Sequence, residues 1–181
     1  MRELSLNVLD IAQNSIAANA SVIEIEVSQS TADKKLLIGI YDNGKGMTKE
    51  QVQSVIDPFF TTRTTRKVGL GIPLFKMAAE MTGGSLEIES EVGVGTKVRT
   101  VFVTDHVDFT PIGDLTSTVV ILITMNLHTD FVYTRRLDEK EFTVDTRQLK
   151  EILGDVPLNE PSIVSWLTDY INENTKQLTE V

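Results

Sequence analysis

Four short stretches hold residue types able to bind a polyphosphate or move a proton. In Asp10-Ile11-Ala12-Gln13-Asn14-Ser15, a carboxylate stands four residues before an amide. On a helix that spacing sets both on one face. An amide oxygen suits a hard cation such as Mg²⁺, and a neighbouring carboxylate can orient water or accept a proton. In Asp42-Asn43-Gly44-Lys45-Gly46-Met47, alternate glycines let backbone approach a flat ligand and tolerate positive φ. The aspartate can accept a hydrogen bond from an exocyclic amine. Gly69-Leu70-Gly71 opens a helical pattern directly behind Arg63, Arg66 and Lys67. The free N–H groups and positive dipole end of such a start suit phosphate. Gly93-Val94-Gly95-Thr96 joins two alternating segments as a turn. Each stretch also has a plain reading: a solvated helix stripe, an Asp/Gly turn, a basic loop, a hairpin turn. The sequence contains no GxxxxGK[ST] phosphate loop.

Periodicity supplies the elements that must position these groups. Leu4, Leu6, Leu9, Ile11, Ile16 and Ala20 recur at roughly helical spacing, so residues 3–19 read as a helix. Residues 22–27 (VIEIEV) and 36–41 (LLIGIY) read as strands of a hairpin. Residues 48–56 form a short helix capped by Thr48, with Glu50 in its first turn. Residues 57–69 (DPFFTTRTTRKVG) show no period and have the length of a lid loop. Helical spacing resumes over 70–81, with Pro73 in the first turn and Gly83-Gly84 as the stop. Strands follow at 85–90 and 97–103. Grouped this way, the elements predict an α+β fold: a two-layer sandwich with helices on one face of the sheet.

After Thr104 the texture changes, which divides the chain into a domain of residues 1–104 and an extension of 105–181. Residues 113–127 read as a helix, although their Thr, Val and Ile content also permits a strand. Residues 131–136 and 141–145 suggest a hairpin, and 148–153 and 161–174 suggest helices. The extension is expected to pack onto the open face of the sheet, or else to dock a partner.

The 181 residues carry 17 Lys and Arg against 26 Asp and Glu, a net charge of −9. That balance argues against nucleic acid as a partner, since duplex affinity rests on neutralising phosphates. With no cysteine, disulfides, thiolate zinc sites and cysteine nucleophiles are excluded together. Two histidines, His106 and His128, are too few for a histidine metal cluster. The strongest apolar run, Val119 to Met125, is far short of the roughly 20 residues of a membrane span. The N-terminus turns polar too early for a signal peptide, so a cytoplasmic location without membrane partners is the expectation.

Taken in order, the four motifs resemble those of the Bergerat-fold (GHKL) ATPase superfamily: gyrase-type topoisomerases, heat-shock chaperones, mismatch-repair ATPases and sensor histidine kinases. DIAQNS is similar to the N box, DNGKGM to the first glycine box, VGLGI to the second and GVGT to the last, across residues 3–103. The resemblance implies ATP and Mg²⁺ as cofactors, with Asn14 as the metal ligand. It places Asp42 on the adenine amine with Thr96 in support, Gly44 and Gly46 beneath the base, and Ala18 and Met47 along the adenine pocket. Gly69, Leu70 and Gly71 would face the phosphates, and Arg63, Arg66 and Lys67 would meet the γ-phosphate from a lid. Phe59 and Phe60 resemble the phenylalanine motif of histidine-kinase lids. Hydrolytic relatives carry glutamate four residues before the asparagine. Here Asp10 retracts the carboxylate by one methylene, about 1.5 Å. Its implied role is a base or water-orienting group. Ala17 also stands where relatives often carry Asp or Lys.

The family's phosphoacceptor helix finds no counterpart in the surroundings of His106 or His128. The resemblance therefore implies a stand-alone kinase-like domain acting on or switching a separate protein partner or phosphoacceptor. An ATP sensor without turnover and a slow ATPase with a nucleotide-gated lid are the alternatives, and a homodimer is compatible with each. The chain is also similar to free-standing proteins with such a tail in anaerobic bacteria, often linked to iron-hydrogenase systems.

Overall fold

The computed structural model describes residues 3–57 and 70–180. In chain order the elements are α1 (Leu4–Ala17), β1 (Val22–Ser30), β2 (Lys35–Asp42), α2 (Lys49–Ile56), α3 (Gly71–Met81), β3 (Ser85–Glu91) and β4 (Gly95–Val103). The extension adds α4 (Leu115–Met125), β5 (Asp130–Leu137), β6 (Lys140–Asp145), α5 (Thr146–Leu153) and α6 (Pro161–Thr179). Six strands form one sheet in the order β3-β4-β2-β1-β5-β6. Neighbours are antiparallel except β1 and β5, which run parallel.

The alternation seen in the sequence assigns the two faces. Ile23, Ile25 and Val27 on β1, Leu36, Ile38 and Ile40 on β2, and Phe102 on β4 are fully buried. They meet Leu4, Val8 and Ile11 of α1 and Phe75 of α3 in one core. The Phe75 and Phe102 rings lie 5.5 Å apart and tilted, within the separation of interacting aromatic pairs. Between those positions Glu24, Glu87, Glu89, Lys97 and Arg99 stand exposed on the other face. The expected α+β two-layer sandwich is therefore present, with one sheet face open.

The extension does not lie on that open face. Its hairpin continues the sheet beside β1, and α4 and α6 extend the helix layer. Parallel pairing with β1 leaves no mark in local periodicity, so the sequence alone does not distinguish sheet extension from packing on the open face. The 113–127 stretch, ambiguous in sequence, is helical over Leu115–Met125, where α4 is covered on two sides by α1 and α6. The connector also caps α1. The Leu4 and Ser5 amides, unsatisfied within the helix, donate to Pro111 and Ile112 carbonyls at 3.0 and 2.8 Å.

Thr48 caps α2 as expected and forms a full capping box with Gln51. Three later helices are capped by carboxylates. Asp114 accepts from the Ser117 amide at 2.9 Å, Asp145 from the Arg147 amide at 3.0 Å and Glu160 from the Ser162 amide at 3.0 Å. The Ser117 hydroxyl, the Arg147 guanidinium and the Ser162 hydroxyl are the leading causes that hold these carboxyls below their ordinary range. A depressed folded-state pKa contributes stability above the unfolded pKa that is lost as pH falls through the folded one. The C-terminal helices should therefore weaken below about pH 4. Acid titration followed by circular dichroism checks this, and Asp114→Asn, which keeps a neutral cap, should reduce the pH dependence.

Candidate functional site

The site lies where the N-terminal strands meet the helix layer. Asp42 closes β2, directly opposite Thr96 of β4. Its carboxylate is fixed at both oxygens. The Ser15 hydroxyl of α1 donates to Oδ2 at 2.5 Å, and the Gly44 amide donates to Oδ1 at 2.9 Å. Two donors of this kind orient a carboxylate and leave its remaining lone pairs as acceptors.

The loop after Asp42 is shaped by close backbone approach. A Cβ on Gly44 would lie 2.8 Å from the Ala18 carbonyl oxygen. Gly46 has φ +70°, and a Cβ there would fall 1.9 Å from the Glu91 carbonyl oxygen. Backbone bonds from Lys45 N to Ala18 O (2.9 Å) and from Gly93 N to Lys45 O (2.7 Å) tie the loop to α1 and to the β3–β4 turn. The Asn43 side chain accepts from the Ser21 and Val22 amides and donates to the Ser21 hydroxyl, fastening the loop to the start of β1.

Ser90 completes the wall. Its hydroxyl donates to Gly95 O at 3.0 Å and accepts from the Met47 amide at 2.8 Å. It also lies 2.8 Å from the Thr96 hydroxyl. With its single proton given to Gly95, Ser90 accepts from Thr96. A lone pair of Thr96 is then left beside Asp42.

These groups line a cavity of about 260 Å³. Ile11, Val55, Ile72 and Val98 supply apolar walls. Asn14, Ala18, Asp42, Gly46, Met47 and Thr96, singled out in the sequence, are all on its lining, and Gly44 lies beneath through its contact with Ala18. Asn14 is exposed on α1, and among the described residues its side chain makes no hydrogen bond. Asp10 lies one turn earlier on α1 and is partly buried. Gly71, the first residue of α3, packs against it: a Cβ there would come 3.1 Å from Asp10 Cβ. Leu70 precedes it as an exposed N-cap with no side-chain cap bond. Arg63, Arg66, Lys67, Gly69 and the DPFFTTR segment from Pro58 onward lie outside the described residues.

Three positioning residues escaped the sequence reading: Ser15, Asn43 and Ser90. None breaks a local pattern, and each acts on a group far away in sequence, so only the fold reveals them. Lys45, also on the cavity lining, carried no signal beyond its place between two glycines.

The donor set fits a purine nucleotide with its metal. An acceptor-only carboxylate faces an apolar slot whose floor is side-chain-free backbone. Among the described residues no group of three or more His, Cys, Asp or Glu could hold a metal ion. Mg²⁺, which keeps waters and phosphate oxygens as ligands, needs only one or two protein oxygens. The Asn14 amide oxygen can supply one.

Residues 1–106 match the family described as histidine kinase-, DNA gyrase B- and HSP90-like ATPase. The chain is 35% identical over 91 residues to sporulation kinase D of Bacillus subtilis (strain 168), covering 50% of this chain and 18% of that protein. It is 32% identical over 90 residues to sensor histidine kinase ZraS of Escherichia coli (strain K12), covering 49% and 19%. The match thus spans about a fifth of these relatives' length. A crystal structure of the N-terminal domain of a DNA repair protein superposes with a TM-score of 0.53 at 15% identity, covering 80% of this chain and 52% of that one. No helix among the described residues is long and apolar enough to cross a membrane. Motif order, fold and family match agree, and the chain belongs to the histidine kinase-, DNA gyrase B- and HSP90-like (GHKL) ATPases, whose ATP-binding domain its first 106 residues form.

Proposed function

We propose that this protein is a cytoplasmic Mg-ATP-binding regulator, a kinase-like domain that transfers phosphate to, or switches, a separate protein partner. The pinned Asp42 carboxylate carries this reading. Its free lone pairs accept the adenine amine, with the Thr96 hydroxyl beside it. Ala18 and Met47 border the base, and Gly44 and Gly46 let the chain pass beneath it. Asn14 holds the metal, which neutralises phosphate charge when bound. Gly71 packs the start of α3 against Asp10 of α1, and in this reading the α3 N-terminal amides and the Asp10 carboxylate meet the phosphate end of the nucleotide. Asp10 orients or deprotonates the attacking hydroxyl or water there.

The discriminating experiment is incubation with γ-labelled ATP and Mg²⁺, with and without cell extract, reading label on protein against free phosphate. Transfer to a partner without retention on this chain supports the reading. Label held stably on this chain contradicts it. Asp10→Asn should lower phosphate release or transfer by about 100-fold or more, the lower range of general-base effects, while ATP binding persists. Unchanged turnover would remove Asp10 as the base.

A further inference from the structure

The open sheet face carries its charges in columns. Strand register sets Glu89, Lys97, Tyr41 and Glu24 in one row across β3, β4, β2 and β1. The next row is Glu87, Arg99, Gly39 and Glu26. A cation column on β4 and an anion column on β1 therefore flank β2 at equal spacing, about 4.8 Å on each side. Between them β2 is low. The Tyr41 side chain folds over Gly39, where a Cβ would meet its hydroxyl oxygen at 2.2 Å, and that hydroxyl donates to Glu26 at 3.1 Å. A shallow basin of about 540 Å³ lies over this region. Among the described residues Glu24, Glu87, Glu89, Lys97 and Arg99 make no ion pair.

We infer that this face docks a second copy of the chain about a two-fold axis running along β2. Such an axis keeps the height along the strands and exchanges the two sides. Lys97 then meets Glu24 of the second copy, Arg99 meets Glu26 of the second copy, and both contacts occur twice, as an isologous interface requires. An axis along β4 would set cations on cations, and one along β1 anions on anions. An axis along β2 matches the β4 column with the β1 column; an axis between β3 and β4 would instead match Glu89 with Lys97 and leave Glu24 out of the contact, which the Glu24→Lys variant distinguishes. About this axis β4, β2 and β1 face the same three strands of the second copy, a footprint of roughly 15 Å by 20 Å. That is below the about 800 Å² per partner of a standard interface, so the dimer is weak. Its charges remain near solvent, so it is also sensitive to salt.

This inference goes beyond the nucleotide reading and does not depend on it. Sedimentation of the full chain at about 0.02 M and about 0.5 M salt tests it first, with dimer expected at low salt and monomer at high salt. Charge reversal then tests the axis. Lys97→Glu with Arg99→Glu, and Glu24→Lys with Glu26→Lys, should each give monomers at low salt. An equal mixture of the two should dimerise again, because the reversed columns match each other and so do the untouched ones. Glu26 also pairs with Arg136 at 3.5 Å, so Glu24→Lys alone, with its fold checked by circular dichroism, must weaken the dimer too. A monomeric parent at low salt, a double variant that still dimerises alone, or a mixture that stays monomeric would each overturn the proposal.

Discussion

Asp42→Asn is expected to weaken Mg-nucleotide binding by between about 10-fold and about 100-fold, the range of a lost hydrogen bond to a charged group. The reason lies in the two donors that hold the side chain. An asparagine has one acceptor oxygen and one donor NH₂. If the oxygen stays with the Gly44 amide, the NH₂ turns to Ser15; if it stays with Ser15, the NH₂ confronts the Gly44 amide. In either arrangement the acceptor strength offered to an exocyclic amine falls. Ser15→Ala should cost less, because the carboxylate keeps its charge and its bond to Gly44. Titration calorimetry with ATP and Mg²⁺ measures both. Equal affinity of Asp42→Asn and the parent would show that the base is recognised elsewhere.

Gly46→Ala should be strongly destabilising for a single added methyl. The left-handed φ of +70° costs a non-glycine residue roughly 1–2 kcal/mol. The added methyl also falls 1.9 Å from the Glu91 carbonyl oxygen, so β3 or the loop must shift. We expect about 3 kcal/mol in all, near the upper end of ordinary point-mutant effects. For a chain of this size that lowers Tm by roughly 6–12 °C. Gly93→Ala is the control. Its φ of +81° carries the same strain, but nothing lies within 4 Å of the new methyl. Its loss should be confined to the strain, about 1–2 kcal/mol. Thermal melts of the two variants separate collision from conformational strain. Similar melting points would mean the Gly46 contact is relieved without cost.

Much of this was legible because it rests on one-dimensional pattern. VIEIEV buries every second residue, so β1 was visible from Val22. Ser28, Gln29 and Ser30 do not alternate, yet β1 runs to Ser30 because β2 and β5 pair with it on both sides. Thr48 announced α2 because a cap is a local device. The spacing of Asp10 and Asn14 and the glycines after Asp42 are equally local; the fold brings Asn14, Asp42 and Gly46 to one cavity and leaves Asp10 one turn earlier on α1, against Gly71. Ser15 and Ser90 looked ordinary, since their hydroxyls matter only through Asp42 and Thr96, which long-range packing supplies. The placement of the extension is invisible for the same reason: β5 pairs in parallel with β1 across more than a hundred residues, and nothing near either strand in sequence marks the partner.

The β1–β5 pairing bears on how the chain is made. Val22 of β1 is in register with Asp130 of β5, and Gln29 with Leu137. Until the ribosome has delivered the last third of the polypeptide, β1 remains an unpaired rim with its amides and carbonyls bare. Contacts over such sequence distances delay the final collapse. During synthesis the half-built sheet therefore carries a bare strand edge of the kind that pairs with neighbouring chains.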